Sequence, residues 1–239
     1  MDDRLIRIRE SEKRSHTEVY SNERLYNSDS WLNKAIKTVR DVGTLFSDYK
    51  KINVLDLGSG VGRNSIYLAK LYKDKECRID CVDLLEIAID KLKQNATVHG
   101  VGESINGIVQ TIEDYEISES SYDLIMAVSA LEHVDSRDSF ATKLEEIKSG
   151  IRPEGVVILV INSAVRETDV HTLEELEPQF EVNLPTDEML TILDETFRNW
   201  SIVKNTVVNQ EYEIPRDGMT SRLQTNVITY VVRKPAEGS

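Results

Sequence analysis

Short apolar runs alternate along this chain with longer stretches whose apolar residues recur every three or four positions, a pattern that predicts a mostly parallel, twisted sheet with helices on both faces. The first run, at 54–57, passes through three glycines into 65–73, where Ile66, Leu68, Ala69 and Tyr72 mark one helical face. A second strand is read at 78–83. The helix after it starts at Leu85 and stops at His99-Gly100-Val101-Gly102 by the usual glycine C-cap chemistry. A third strand follows at 105–110, and a fourth at 122–128 is apolar without alternation, as a strand buried on both faces must be. Phe140, Leu144 and Ile147 then share a helical face, and 156–161 is a β-branched fifth strand. Acids at Asp187 and Glu188 open a last helix with Met189, Leu190, Leu193 and Phe197 on one stripe, before alternating runs at 200–208 and 225–232 predict an antiparallel C-terminal hairpin.

The densest chemistry is the turn Asp56-Leu57-Gly58-Ser59-Gly60-Val61-Gly62. Gly58 and Gly60 let the backbone turn and approach a ligand where a Cβ would collide, and Gly62 lets the first helical turn pack closely against the strand. Dinucleotide folds space the last glycine one residue further on, so that a helix N-terminus faces a pyrophosphate. Here Asp56 precedes the first glycine, and its carboxylate would repel a pyrophosphate but attract a cationic ammonium. Asp83 ends the second strand about 20 residues after the last glycine, the separation expected of a carboxylate that accepts both ribose hydroxyl protons. Capping of the following helix is its other reading.

At these residues the chain resembles motif I of the class I S-adenosylmethionine (SAM)-dependent methyltransferases. The run Gly62-Arg63-Asn64-Ser65-Ile66-Tyr67-Leu68-Ala69 is similar to the tellurite-resistance type of small-molecule methyltransferase, although Ser59 stands where cysteine is usual. Ser121 through Val134 resembles the family's motif IV region, Pro153-Glu154-Gly155 its Pro-Gly-Gly turn, and the final strands its terminal hairpin. The resemblance implies a Rossmann-like α/β fold with SAM held by Asp56, Gly58, Ser59, Gly60, Gly62 and Asn64 on the turn, by Asp83 and Leu84 at the ribose, and by Val128 and Ser129 beside the methionine part. Thr111, Ile112 and Glu113 are implied at the adenine, with Thr111 where an acid is frequent and Glu113 or Asp114 as substitutes. The absence of an Asn-Pro-Pro-Tyr motif argues against transfer to a base or amide nitrogen.

Candidates for the chemistry itself are His133, read either as a general base or as a positioning and packing group, and Tyr20. Tyr20, Tyr26 and Trp31 precede the core and are expected in a cap over the site or packed onto the sheet. Loops leaving the carboxyl ends of the strands form the rim of such a site. Arg166, in a polar 162–184 stretch expected to be a lid, and Tyr212 and Arg216, in an exit loop at 210–218, are therefore expected to join Tyr20 and Tyr26 around a small acceptor, anionic in character. Surface ion pairs are the alternative for both arginines.

Length and charge narrow the picture. With 239 residues and 40% hydrophobic content, the chain suits one domain, comprising an arm and cap at 1–45 and a SAM-binding core at 46–234. Acidic residues outnumber basic ones, 42 against 29, giving a net charge of −13, which disfavours nucleic acid and anionic membrane as partners. No apolar run spans a bilayer and the start is no secretory signal, so a cytoplasmic location is expected. Cys77, Cys81 and four scattered histidines match no disulfide or metal pattern. The charged arm at 2–14 reads as a solvated helix or frayed segment without chemistry of its own. The expected function is methyl transfer from SAM to a small molecule by direct displacement; the alternatives are a nicotinamide-dependent oxidoreductase and a SAM-binding protein without catalysis.

Overall fold

A computed structural model describes residues 3–22, 25–28, 30, 32–216 and 218–238; Trp31 lies outside them. The central sheet has eight strands in the order β3-β2-β1-β4-β5-β8-β7, with β6 paired to β5 off this path. The strands β1 (Lys51–Leu57), β2 (Glu76–Asp83), β3 (Ile105–Val109), β4 (Tyr122–Val128) and the first half of β5 (Ile151–Asp169) are parallel. At the other edge β8 (Met219–Arg233) runs antiparallel to both β5 and β7 (Ser201–Arg216). An antiparallel strand slotted between β5 and β7 is the hairpin expected from the alternating C-terminal runs, and it separates this topology from a dinucleotide-binding sheet.

Each face of the sheet carries its own core. Leu55, Leu57, Ile125, Ala127, Val157 and Leu159 point toward α5 (Arg137–Gly150) and α6 (Thr186–Thr196), where Phe140, Leu144, Met189 and Leu193 are fully buried. The alternate residues Val54, Leu124, Met126, Val156 and Ile158 face α2 (Lys37–Gly43), α3 (Ser65–Leu71) and α4 (Glu86–Val98). Successive side chains of a strand point to opposite faces, so a strand buried on both must be apolar throughout, as β4 is. None of the described helices is long and apolar enough to cross a membrane.

Of the two readings of the charged N-terminal arm, the helix is the one found: α1 (Asp3–Asn22) is continuous and laid across the carboxyl rim of the sheet, with its Ile8 and Tyr20 buried. Two expectations are corrected. The 162–184 stretch is not one long loop: β5 continues to Asp169, β6 (Glu175–Leu176) folds back on it, and only the residues from Glu177 onward connect to α6. The expected exit loop at 210–218 is mostly strand, because β7 and β8 stay paired up to Arg216 and Met219.

This extension beyond the core is held by polar groups rather than apolar ones. Ser163, Glu167 and Asp169 point inward at alternate positions of β5, sharing that face with Val165. Glu167 is 2% exposed; Arg216 donates to its Oε2 at 2.6 Å and Ser221 Oγ to its Oε1 at 2.5 Å. Removing one partner of a buried pair strands the other charge away from water. Arg216→Ala is therefore expected to lower stability by roughly 2–4 kcal/mol in urea unfolding; a loss below 0.5 kcal/mol, also roughly, would place this pair with ordinary surface pairs.

Candidate functional site

The glycine turn after β1 is fixed to the neighbouring strand. Gly58 N–H and Ser59 N–H both donate to the Val82 carbonyl, at 2.9 and 3.0 Å. Next in sequence, Asp83 accepts from Gly60 N–H through Oδ2 at 2.8 Å and from Leu85 N–H through Oδ1 at 2.9 Å. All three glycines have positive φ, between 53° and 89°, the left-handed region that penalises a side chain. Their surroundings differ, however. A Cβ on Gly58 would stand 2.3 Å from the Ala130 Cβ, and one on Gly62 2.3 Å from Leu92 Cδ1 of α4. Gly62 thus makes room for α4 and also, with Ile66 Cδ1 at 3.0 Å, for the first turn of α3. A Cβ on Gly60 would meet only the Tyr20 hydroxyl, at 3.0 Å, so this glycine faces the open side of the turn.

Two clefts meet at the turn. The first is lined by Asp83, Leu84, Thr111, Ile112 and Glu113 on one side and by Ser129, Ala130 and His133 on the other, with Arg9 and Lys13 of α1 above. Ser59, Gly60, Arg63, Asn64, Val128 and Ser129 line the second. Gly58, Ser129 and Tyr20 belong to both, so the Tyr20 side chain, 7% exposed, lies where the two halves join. The Ser59 hydroxyl is buried there without a hydrogen-bond partner among the described residues. Ser129 itself has a positive φ of 51°, with its N–H held by the Val160 carbonyl at 2.8 Å, a strained conformation of the kind that collects at ligand sites.

Asp56 lies beneath the turn, 2% exposed, accepting a hydrogen bond from Ser65 Oγ of α3, and it borders neither cleft. Burial raises its pKa to about 7, against the opposing pull of the Ser65 hydrogen bond, and the nearby Asp83 charge adds to the rise. Arg63, which the sequence reading passed over, supplies a guanidinium to the second cleft; burial pulls its pKa down while Asp56 acts the other way. Its place directly after Gly62 was the available signal.

Above the first cleft a charge network joins parts of the chain far apart in sequence. Arg9 of α1 pairs with Glu113, and its Nε lies 3.8 Å from Glu181 Oε1. Glu181 Oε2 sits 3.0 Å from His133 Nδ1, and Phe180 stacks on the imidazole at a centroid distance of 5.0 Å. The Glu181 side chain is only 1% exposed. Neither Glu181 nor Arg9 stands out in the sequence, because nothing local marks them.

The expected adenine contacts line the cleft but are engaged within the protein: Glu113 holds Arg9, and Thr111 Oγ1 donates to Asp114 Oδ2 at 2.7 Å. The expected acceptor wall is not assembled. Arg166 is exposed on the β5–β8 ladder, Tyr212 is 45% exposed on β7, and Arg216 belongs to the Glu167 pair. Tyr26 donates to the Arg63 carbonyl at 2.8 Å and packs on His99, fastening the segment before α2 rather than facing a cleft. Of the five acceptor candidates only Tyr20 lines the site.

Two outcomes follow from the turn. Gly60→Val should fold yet lose cofactor-type ligands, because its side chain enters the open side of the turn; ligand binding at wild-type strength would refute that placement. For Asp56, an acid whose folded pKa lies above its unfolded value favours the protonated form in the fold, so ionisation destabilises the protein progressively as pH rises from about 4 to 7. Asp56→Asn should accordingly raise stability by ~2–4 kcal/mol at pH 8 and change it little near pH 4, as read from urea midpoints at the two pH values.

Comparison with known proteins bears on this geometry. A family described as a methyltransferase domain matches residues 54–155, the part of the chain that carries the turn, Asp83 and the motif around His133. Among curated proteins, a ubiquinone biosynthesis O-methyltransferase from Rickettsia canadensis is 26% identical over 121 residues, or 51% of this chain and 47% of that protein. A carboxy-S-adenosyl-L-methionine synthase from Vibrio vulnificus is 26% identical over 107 residues, 45% of this chain and 42% of its own length. The matched stretch thus spans less than half of either relative. Among solved structures, TehB from Haemophilus influenzae superposes with a TM-score of 0.59 at 21% identity, covering 82% of this chain and 62% of that one. A Burkholderia thailandensis 1,6-didemethyltoxoflavin-N1-methyltransferase with bound S-adenosylhomocysteine gives 0.54 at 18% identity, covering 94% and 88%. The chain thus shares its fold with these methyltransferase structures, and over residues 54–155 it is similar to the methyltransferase domain family.

Proposed function

We propose that the chain transfers a methyl group from SAM to a small-molecule acceptor by direct displacement. The observation that carries this reading is the pair of clefts meeting at a cofactor-sized turn, with a carboxylate at the β2 end on one side and a guanidinium on the other. In this reading the first cleft takes the adenosine half. Asp83, whose oxygens already accept Gly60 and Leu85 N–H groups, retains lone pairs for the ribose hydroxyls. Ile112 offers an apolar surface to the base, and Glu113, drawn toward Arg9, stands at its edge.

The second cleft takes the amino-acid half. Arg63 suits its carboxylate, and the Ser59 hydroxyl, without a partner among the described residues, offers a hydrogen bond. When bound, SAM supplies an electrophilic methyl group on a sulfonium. The protein's own contribution is orientation and exclusion of water: Tyr20 closes over the junction, Ser129 holds the backbone of the β4 exit, and His133, fixed by Glu181 and Phe180, borders the space left for the acceptor. Acceptor attack in line with the departing sulfur requires little more than this alignment. The curated relatives named above act on chemically different partners, so the acceptor itself is assigned here only as a small molecule.

Thermal shift tests the reading. S-adenosylhomocysteine should raise the melting temperature and NAD should not, because a ligand bound only by the native state stabilises it by mass action. The opposite ranking would favour the oxidoreductase alternative. Asp83→Ala should weaken S-adenosylhomocysteine binding by roughly 1–3 kcal/mol through stranded hydroxyls and a loosened turn; a dissociation constant equal to the wild type would remove Asp83 from the ribose.

A further inference from the structure

The two sides of α1 face different clefts. Arg9, Lys13 and Tyr20 look down on the cofactor side, whereas Arg4, Arg7, Ser11 and Arg14, spaced three or four residues apart and hence on one helical stripe, look the other way. That second stripe lines a separate cleft whose far wall is Glu177, Pro178, Gln179 and Arg216, and which shares no residue with the two clefts at the turn.

Its cationic groups are set in place. Arg4 donates to Glu177 Oε1 at 2.6 Å and to the Phe180 carbonyl at 2.9 Å, and Arg216 is held by buried Glu167 and by the Glu177 carbonyl at 3.0 Å. Ser11 donates to Gln179 Oε1 at 2.9 Å across the cleft. The cleft therefore already accommodates a carboxylate of the chain itself, that of Glu177. Arg7 forms no ion pair among the described residues, and Arg216 has further N–H groups beyond those bonds. Four guanidiniums against the carboxylates of Glu10, Glu177 and the Glu167 that holds Arg216 leave one local positive charge in a chain of net charge −13.

We propose that this cleft binds a small polyanion bearing phosphoryl or carboxylate groups, bridging α1 to the 177–179 segment. Guanidinium forks match both kinds of oxyanion geometrically. Since α1 also covers the cofactor clefts, an anion that ties it down favours the closed arrangement, and the coupling is reciprocal: bound cofactor tightens the anion by the same factor.

Calorimetric titration of the full chain with pyrophosphate at constant ionic strength, with and without saturating S-adenosylhomocysteine, tests the proposal. We expect saturable binding in both conditions, at least 10-fold weaker in Arg7→Glu and within about threefold of wild type in Arg7→Lys, while S-adenosylhomocysteine affinity measured without anion is unchanged in both variants. Citrate in place of pyrophosphate distinguishes carboxylate from phosphoryl preference, and saturable binding of either supports the site. Binding of neither, binding equally strong in Arg7→Glu, or binding abolished by S-adenosylhomocysteine would overturn it. Loss of S-adenosylhomocysteine binding in wild type would count against the proposed function and leave the anion titration independent.

Discussion

Two adjacent groups at the end of β2, the Val82 carbonyl and the Asp83 carboxylate, hold the turn after β1 by three of its backbone N–H groups. A turn with its amides tied down in this way cannot relax outward, so its positive φ angles persist and the absent side chains of Gly58 and Gly62 become packing requirements. Ala130, from the exit of β4, and Leu92, from α4, fill the spaces those side chains would take. The turn therefore couples β1, β2, β4 and α4 at one point, while Gly60 faces its open side. The same tightness explains Asp56, which is sealed under the turn against Ser65 and raised in pKa as a result.

Over this rigid floor lies an element held by different forces. Among the described side chains of α1 only Ile8 and Tyr20 are buried, and its other attachments include ion pairs and hydrogen bonds to Glu113, Glu177, Gln179, Phe180 and Glu181. Exposed pairs contribute little in water and are weakened by salt, whereas the partly buried Arg9 pair is screened less. A helix attached mainly by such contacts has a lower opening free energy than the sheet beneath it. In the proposed function, cofactor exchange under Tyr20 requires that opening, which a weakly fastened cover over a strongly fastened turn permits.

The sequence made the core legible because each element there is specified by its own residues. The apolar period fixed β1 to β4 and α3 to α6 closely, and the glycine spacing with Asp56 and Asp83 placed the turn and the β2 end that adjoin both clefts. Reading stopped where burial is polar. In the outer half of β5 the inward positions are Ser163, Val165, Glu167 and Asp169, an alternation that looks like a solvated loop until Arg216 and Ser221, some 50 residues away, neutralise the acid. The arm was left between a helix and a frayed segment for the same reason: a stripe of charge reads as solvated unless its partners, here Glu113 and the 177–181 segment, are known to fold over it. Tyr212 and Arg216 were misplaced because a loop was expected where paired strand continues.

This contrast also divides the site by origin. Everything proposed to hold SAM comes from strand ends and the turn after β1, where local geometry dictates residue type and little can vary without breaking the sheet. Everything proposed to border the acceptor space, namely Tyr20, His133 with Glu181 behind it, and the cover formed by α1, depends on contacts between segments far apart in sequence, 48 residues for His133 with Glu181 and 104 for Arg9 with Glu113. Such contacts can be exchanged without disturbing the core, since each removes or adds one charge pair at the rim rather than a methylene in a packed interior. Methyl transfer asks mainly for alignment, and alignment at this site is set by the exchangeable half. In the proposed function acceptor identity is therefore a property of the rim, and a shared floor with an altered rim suffices for chemically unrelated acceptors on one fold.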